Sequence, residues 1–278
     1  MQPATATIKG GPLVAALLRL RAGIESSLTS YDLFAAAIIS VLWSHTAIMF
    51  SLDFHNGWAH VIDRMLLPVF IVSVGYNARP LDKGLLACAA AILCWRWFLF
   101  HGIWPHMSFV PMTILVNFAL SRAALEPLMD FAVKSKIHFW GVNAALVLLI
   151  PWTHSYITEY GTLCLLLMMA GWLARNRAEI PEGLVSPREY FFFVFVIYIA
   201  VNQALFVFTL PQLAIAALGT GYVFTLLYNF RPFILNGLKR RPKDAVEKLC
   251  AFLGHKSLLI YTAHTFIFYA LFHSAIAP

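Results

Sequence analysis

The chain has 278 residues, of which 60% are hydrophobic and only 12% charged, against roughly 45–50% and about 25% in soluble domains. This balance excludes a water-soluble globular protein, because the apolar residues come in blocks close to the ~20 helical residues that cross a roughly 30 Å hydrocarbon layer. The formal charge of +7 does not point to nucleic acid, since the basic residues sit between apolar blocks rather than on one water-facing surface interleaved with stacking aromatics.

In chain order, residues 1–30 carry Lys9, Arg19 and Arg21 and a short amphipathic piece from Leu13 to Ile24. They lack a compact apolar core followed by a small-residue cleavage site, so they are expected to form a cytoplasmic tail rather than a removed signal peptide. Nine blocks of spanning character follow, at roughly 31–50, 60–78, 84–101, 107–123, 138–153, 156–174, 189–208, 210–229 and 257–276. The blocks near 107–123 and 138–153 are short, which brackets the count at eight to ten. Residues 31–278 are therefore expected to be a single all-α transmembrane domain, polytopic, with a basic cytoplasmic loop at about 230–256. In that loop Lys243, Val246, Glu247 and Leu249 have the spacing of a short surface helix after Pro242.

The loops orient the chain. With the N-terminus cytoplasmic, 18 of the 20 Lys and Arg fall in inner segments and none in outer ones. One missed or invented span would swap every later loop, so the alternation predicts N-terminus in and C-terminus out, in a multi-pass protein of the cell inner (plasma) membrane with lipids as its surroundings. The 230–256 loop reads as a charged anchor or as a site for lipid headgroups.

Ionisable groups inside a hydrocarbon layer are costly, so they carry the functional information. His45 lies near the outer third of the first span; Asp53, His55 and His60 follow, and Asp63 and Arg64 open the second span. Arg96 lies near the outer end of the third span with His101 and His106 beyond it, and His154 and Glu159 border the sixth. Many His and no Lys on that side suggest a polar pocket opening outward, with Arg64 and Arg96 neutralised by Asp63, Glu159 or an anionic ligand. Each residue also has a plainer reading, as a headgroup-level histidine, an interhelical hydrogen bond or a structural ion pair. Asp63 and Arg64 point about 100° apart on a helix, so each is expected to reach a different neighbouring span. In the last span Tyr261 and His264 share a face, with Ser257 one turn earlier. Asn117, Asn143, Asn202 and Gln203 read as amides bridging helices, and Asp32 as a helix cap. Cys88, Cys94, Cys164 and Cys250 have no CxxC spacing, and neither HExxH, GxxxxGK, GxGxxG nor GxSxG occurs, so no metal or disulfide is expected.

Several of these segments resemble the TraX family, linked with pilin acetylation, and its distant relatives the multipass acyltransferase family 3 proteins. The first span from Tyr31-Asp32-Leu33 to Ser44-His45-Thr46, the second from Asp63-Arg64 through Leu67-Pro68-Val69-Phe70 to Gly75-Tyr76-Asn77, the triplet Glu159-Tyr160-Gly161, and Leu253-Gly254 through Tyr261-Thr262-Ala263-His264 are similar to family motifs in order and placement. The middle segments, Arg96 included, have no matching motif. The resemblance implies transfer of an acetyl or other short acyl group from an acyl-CoA donor to an amine or hydroxyl of an extracytoplasmic glycan, lipid or peptide. In that scheme His45 is the general base, oriented by Asp63 or Glu159. Arg64 and Arg96 bind anionic groups or the oxyanion, His264 and Tyr261 meet the donor, and Asn77 belongs to the binding set. Two other classes stay open: a transporter or flippase of a small anionic or lipid-linked solute, and a noncatalytic assembly factor.

Overall fold

A computed structural model describes residues 30–49, 57–77, 83–103, 114–156, 160–229 and 245–276. The described residues form ten helices and no strand: α1 (Ser30–Met49), α2 (Trp58–Tyr76), α3 (Lys83–Ile103), α4 (Ile114–Ala132), α5 (Lys136–Tyr156), α6 (Leu163–Arg175), α7 (Pro187–Phe206), α8 (Leu210–Tyr228), α9 (Ala245–His255) and α10 (Ser257–Ile276). The tail over 1–29, the outer residues Asp53, His55 and His106, Glu159, and most of the basic loop lie outside the described residues. The loop's short helix is α9, which begins three residues after Pro242.

Each apolar block overlaps a helix, but only α2, α7 and α8 are both long and apolar enough among the described residues to cross a membrane. Two boundaries differ from the sequence reading. The fourth block continues to Ala132 because Leu125, Met129 and Ala132 keep a buried stripe going while Glu126 and Asp130 turn outward. The 156–174 block is not one helix: a turn at residues 160–162 precedes α6, which starts at Leu163. At 13 residues α6 rises about 20 Å, short of a full crossing.

The interruption has a visible cause. Tyr160 and Gly161 both have positive φ, 67° and 46°, and the turn they make is pinned to α5. The Tyr160 N–H donates to His154 Nδ1 at 2.9 Å, and the Thr162 N–H donates to Thr153 Oγ1 at 2.9 Å. Asn117 on α4 adds a bond from its Nδ2 to the Gly161 carbonyl at 3.1 Å. A Cβ on Gly161 would collide with the Thr153 side chain, so this turn requires glycine.

The centre of the molecule is the α2–α6 pair, the most extensive helix contact. α6 is apolar all round and buried on every side, as such a helix must be. Its backbone approaches α2 directly: a Cβ on Gly75 would run into the Met168 carbonyl, and one on Gly171 into the Val72 carbonyl. Small residues at such crossings let backbones meet without side chains between them. Gly75→Ala is expected to destabilise the protein by about 2 kcal/mol through overpacking, read as a lower unfolding midpoint in detergent; an unchanged midpoint would contradict the crossing. Around this pair, α1, α4 and α8 pack on α2, while α4, α5 and α7 pack on α6. α9 and α10 lie along α1, and α10 also meets α3.

Pro68 sits inside α2 and has no N–H to give to the Arg64 carbonyl four residues earlier. The Tyr198 hydroxyl, from α7, donates to that carbonyl at 2.6 Å and replaces the missing bond. Tyr198→Phe should therefore cost about 1–3 kcal/mol. The loss should shrink in a Pro68→Ala background, where the helix N–H returns. Equal losses in both backgrounds, measured by thermal unfolding, would show that the hydroxyl serves another purpose.

The expected amide bridges are partly realised. Asn143 Oδ1 accepts from the Tyr190 hydroxyl at 2.8 Å, linking α5 to α7. Asn202 instead donates within its own helix to the Tyr198 carbonyl at 2.8 Å, and Gln203 donates to the Phe208 carbonyl just beyond its own helix at 3.2 Å. Asp32 lies in the first turn of α1, where its charge complements the helix dipole.

Candidate functional site

His45 is fifteen residues up α1 from Ser30, about 22 Å along the axis. His264 is at the same level on α10, and its Nε2 lies 2.9 Å from His45 Nδ1 with the rings 5.0 Å apart. The roles in this bond follow from the next one. His264 Nδ1 is 3.2 Å from the Ile260 carbonyl, which can only accept, so that nitrogen carries the proton. His264 Nε2 is then the acceptor and His45 Nδ1–H the donor, leaving His45 Nε2 with a lone pair and no partner among the described residues. The sequence reading offers Asp63 or Glu159 as the group that orients His45; the structure supplies His264. Tyr261, three residues earlier, meets the His264 ring edge-on at 5.1 Å, and Phe268 closes the other side.

Asp63 and Arg64 lie near the start of α2. Contrary to the expectation that each reaches a different helix, Arg64 Nη1 is 3.7 Å from Asp63 Oδ2. A long arginine can fold back where no other carboxylate competes among the described residues. Its guanidinium also lies over the Tyr160 ring at 5.0 Å and the Phe206 ring at 4.7 Å, so a planar cation is held by two aromatics from different parts of the chain. His60, one turn earlier on α2, stacks on the same Phe206 ring at 4.8 Å. The Arg64 charge acts on His45, Asp63 and His154, so these groups form one electrostatic cluster. Within it, Ser44 Oγ, Asp63 Oδ1 and Arg64 Nε are buried with no hydrogen-bond partner among the described residues.

Below this cluster lies an apolar cavity of about 180 Å³. Val41, Leu67 and Tyr261 line its upper end, each about one turn below His45, Arg64 and His264, and Val74, Arg122 and Ser257 line the lower end. From Phe34 to Val41 on α1 the lining covers seven residues, about 10 Å of rise. Arg122 is the cation at the lower end and donates to the Asn77 carbonyl at 3.2 Å. Asn77 therefore stands at the far end of α2 from Asp63 and Arg64, where its side chain donates to the Ser73 carbonyl. Arg96 and His101 are in α3, but their side chains lie outside the described residues.

The structure thus brings His45 against His264 and Tyr261, brings Arg64 against Asp63 on α2, and sets Asn77 at the far end of that helix. Tyr160 has a sequence signal only as part of the Glu159-Tyr160-Gly161 triplet, and Phe206 and Tyr198 have none; a ring whose neighbour is a cation on another helix has no signature in composition or spacing. No three His, Cys, Asp or Glu side chains converge among the described residues. The four cysteines are free thiols. The chain matches no family model, no curated protein and no solved structure.

Proposed function

We propose that the chain is a multi-pass inner-membrane acyltransferase with about nine spans and its N-terminus in the cytoplasm, moving an acetyl or other short acyl group from acyl-CoA to an extracytoplasmic amine or hydroxyl. The observation that carries this reading is the 2.9 Å His45–His264 contact, which leaves one imidazole nitrogen basic and oriented at the top of an apolar cavity. The resemblance of the His45, Asp63–Arg64 and Tyr261–His264 segments to the TraX and acyltransferase family 3 motifs supports the reaction class. The basic residues gather at the end of the helices opposite His45, which supports the orientation.

In this scheme the donor's thioester arm enters past Arg122 and occupies the apolar cavity, bringing its carbonyl up to the level of Tyr261. The acceptor comes from the opposite side and gives its O–H or N–H proton to His45 Nε2. Its oxygen or nitrogen bonds to the carbonyl carbon, the C–S bond breaks, and the departing thiolate takes the proton back from His45. His264 Nε2 holds the Nδ1–H of His45 throughout and steadies the imidazolium that forms, as an orienting group does in a nucleophile–base–orienter chain. Arg64 offers positive charge to the oxyanion or to an anionic acceptor group. Its unpaired Nε–H has hydrogen-bonding capacity left for that group.

The test is transfer of radiolabel from acetyl-CoA to lipid, glycan and peptide acceptors in proteoliposomes, comparing wild type with His45→Ala and Arg64→Lys at matched protein levels. Label should appear on one acceptor class with wild type and be lost with His45→Ala. Movement of a labelled solute across the vesicle membrane without acyl-CoA, and no transfer to any acceptor, would replace this reading with transport.

A further inference from the structure

Among the described residues the helices α7 and α8 are two of the three long and apolar enough to cross a membrane, and only 28% and 33% of their apolar stretches are buried inside the protein. Most of their surface therefore faces the surroundings. Between them is a groove of about 470 Å³ walled by Phe192, Phe195, Phe224 and Tyr228. Its floor is opened by Gly221, where a larger residue would fill the space. Arg188 stands at the end where α7 begins, and among the described residues its side chain has no ion pair or hydrogen bond. Its neighbour Glu189 lines a different cleft and makes no ion pair with it among the described residues. Arg177 lies over the Tyr228 ring at 4.2 Å but lines the cleft that also holds Glu182 and Glu189, which leaves Arg188 as the cation of the groove itself. Asn229, exposed at that end, completes a polar mouth.

The geometry points to a binding site for an acidic phospholipid in this groove, its acyl chain along the aromatic walls and its phosphate at Arg188. An aromatic trough in lipid-facing surface accepts any hydrocarbon chain. The unpaired guanidinium at one end selects the headgroup, because an anionic phosphate gains a charge-assisted bond that a zwitterionic headgroup partly cancels. The site is separate from the His45–His264 cluster, and its failure or success says nothing about acyl transfer.

The full-length protein in mild detergent is to be titrated with phosphatidylglycerol, phosphatidylcholine and glycerol 3-phosphate, and bound lipid counted by native mass spectrometry. Wild type should retain phosphatidylglycerol in preference to phosphatidylcholine and should not retain the soluble phosphate. Arg188→Ala, at an exposed position, should weaken the acidic lipid by about fivefold. Gly221→Leu should abolish retention by filling the groove; a Cβ there meets only the Phe195 ring, at an ordinary 3.6 Å, so the helix backbone tolerates it. Gly141→Leu, whose Cβ meets nothing within 4 Å, adds the same hydrocarbon elsewhere and should leave retention unchanged. Equal retention of the two lipids by wild type, or undiminished phosphatidylglycerol in both Arg188→Ala and Gly221→Leu, overturns the site. Retention of glycerol 3-phosphate at the same strength overturns the lipid assignment.

Discussion

His45→Ala is expected to lower acyl transfer by about two to four orders of magnitude, the usual range for loss of a positioned general base, while the protein still inserts and folds. The expectation rests on the tautomer that the Ile260 carbonyl imposes on His264, and through it on His45. It separates the two histidines by role. His264→Ala removes the acceptor for His45 Nδ1–H, so the ring can rotate or take the other tautomer and activity should fall sharply. His264→Gln keeps an oxygen able to accept that proton and should recover part of the rate. The double variant His45→Ala/His264→Ala should be no worse than His45→Ala alone, because groups acting as one unit are not additive. If His45→Ala retains wild-type turnover at equal protein level, or if the double variant loses activity in two independent steps, the pair is structural.

Arg64→Ala should destabilise the fold by about 3–5 kcal/mol, the penalty for stripping a buried charge of its partner. Asp63 is only 4% exposed, and one of its carboxylate oxygens already lacks a hydrogen bond within the described residues. Removing the guanidinium also leaves the Tyr160 and Phe206 rings facing a gap. Arg64→Lys restores the charge without the flat surface that stacks between two rings, so it should recover only part of the stability. Asp63→Asn combined with Arg64→Ala should be milder than Arg64→Ala alone, since no buried charge is then stranded. Unfolding midpoints in detergent decide between these outcomes. An Arg64→Ala protein that melts with wild type would show that the cation is solvated and that the aromatic contacts contribute nothing.

These two predictions draw on different layers of information. The position of each polar group along its own helix was legible from the chain itself: residues advance a fixed rise along a helix, so His45 near the end of α1, Asp63 and Arg64 near the start of α2, and Tyr261 and His264 on one face of α10 could be placed from spacing alone, whereas the meeting of His45 and His264 at one level could not. The three helices most clearly able to cross a membrane, α2, α7 and α8, were also legible, because a continuous apolar stretch of that length has few other uses.

Rotation about the helix axes and choice of neighbour were decided only by packing. His45 and His264 are separated by 219 positions, and nothing local to either specifies the other; the contact exists because α10 lies along α1. The Asp63–Arg64 ion pair runs against the angular argument from a straight helix, since a flexible arginine held by two rings can turn back on its neighbour. The break before α6 depends on bonds to His154, Thr153 and Asn117 that hold its unusual backbone and come from two other helices, which nothing local to Tyr160-Gly161-Thr162 announces. Hydrophobic sequence thus sets where a residue stands along the membrane normal, a one-dimensional quantity, whereas partners are fixed by lateral packing, to which every apolar face contributes almost alike.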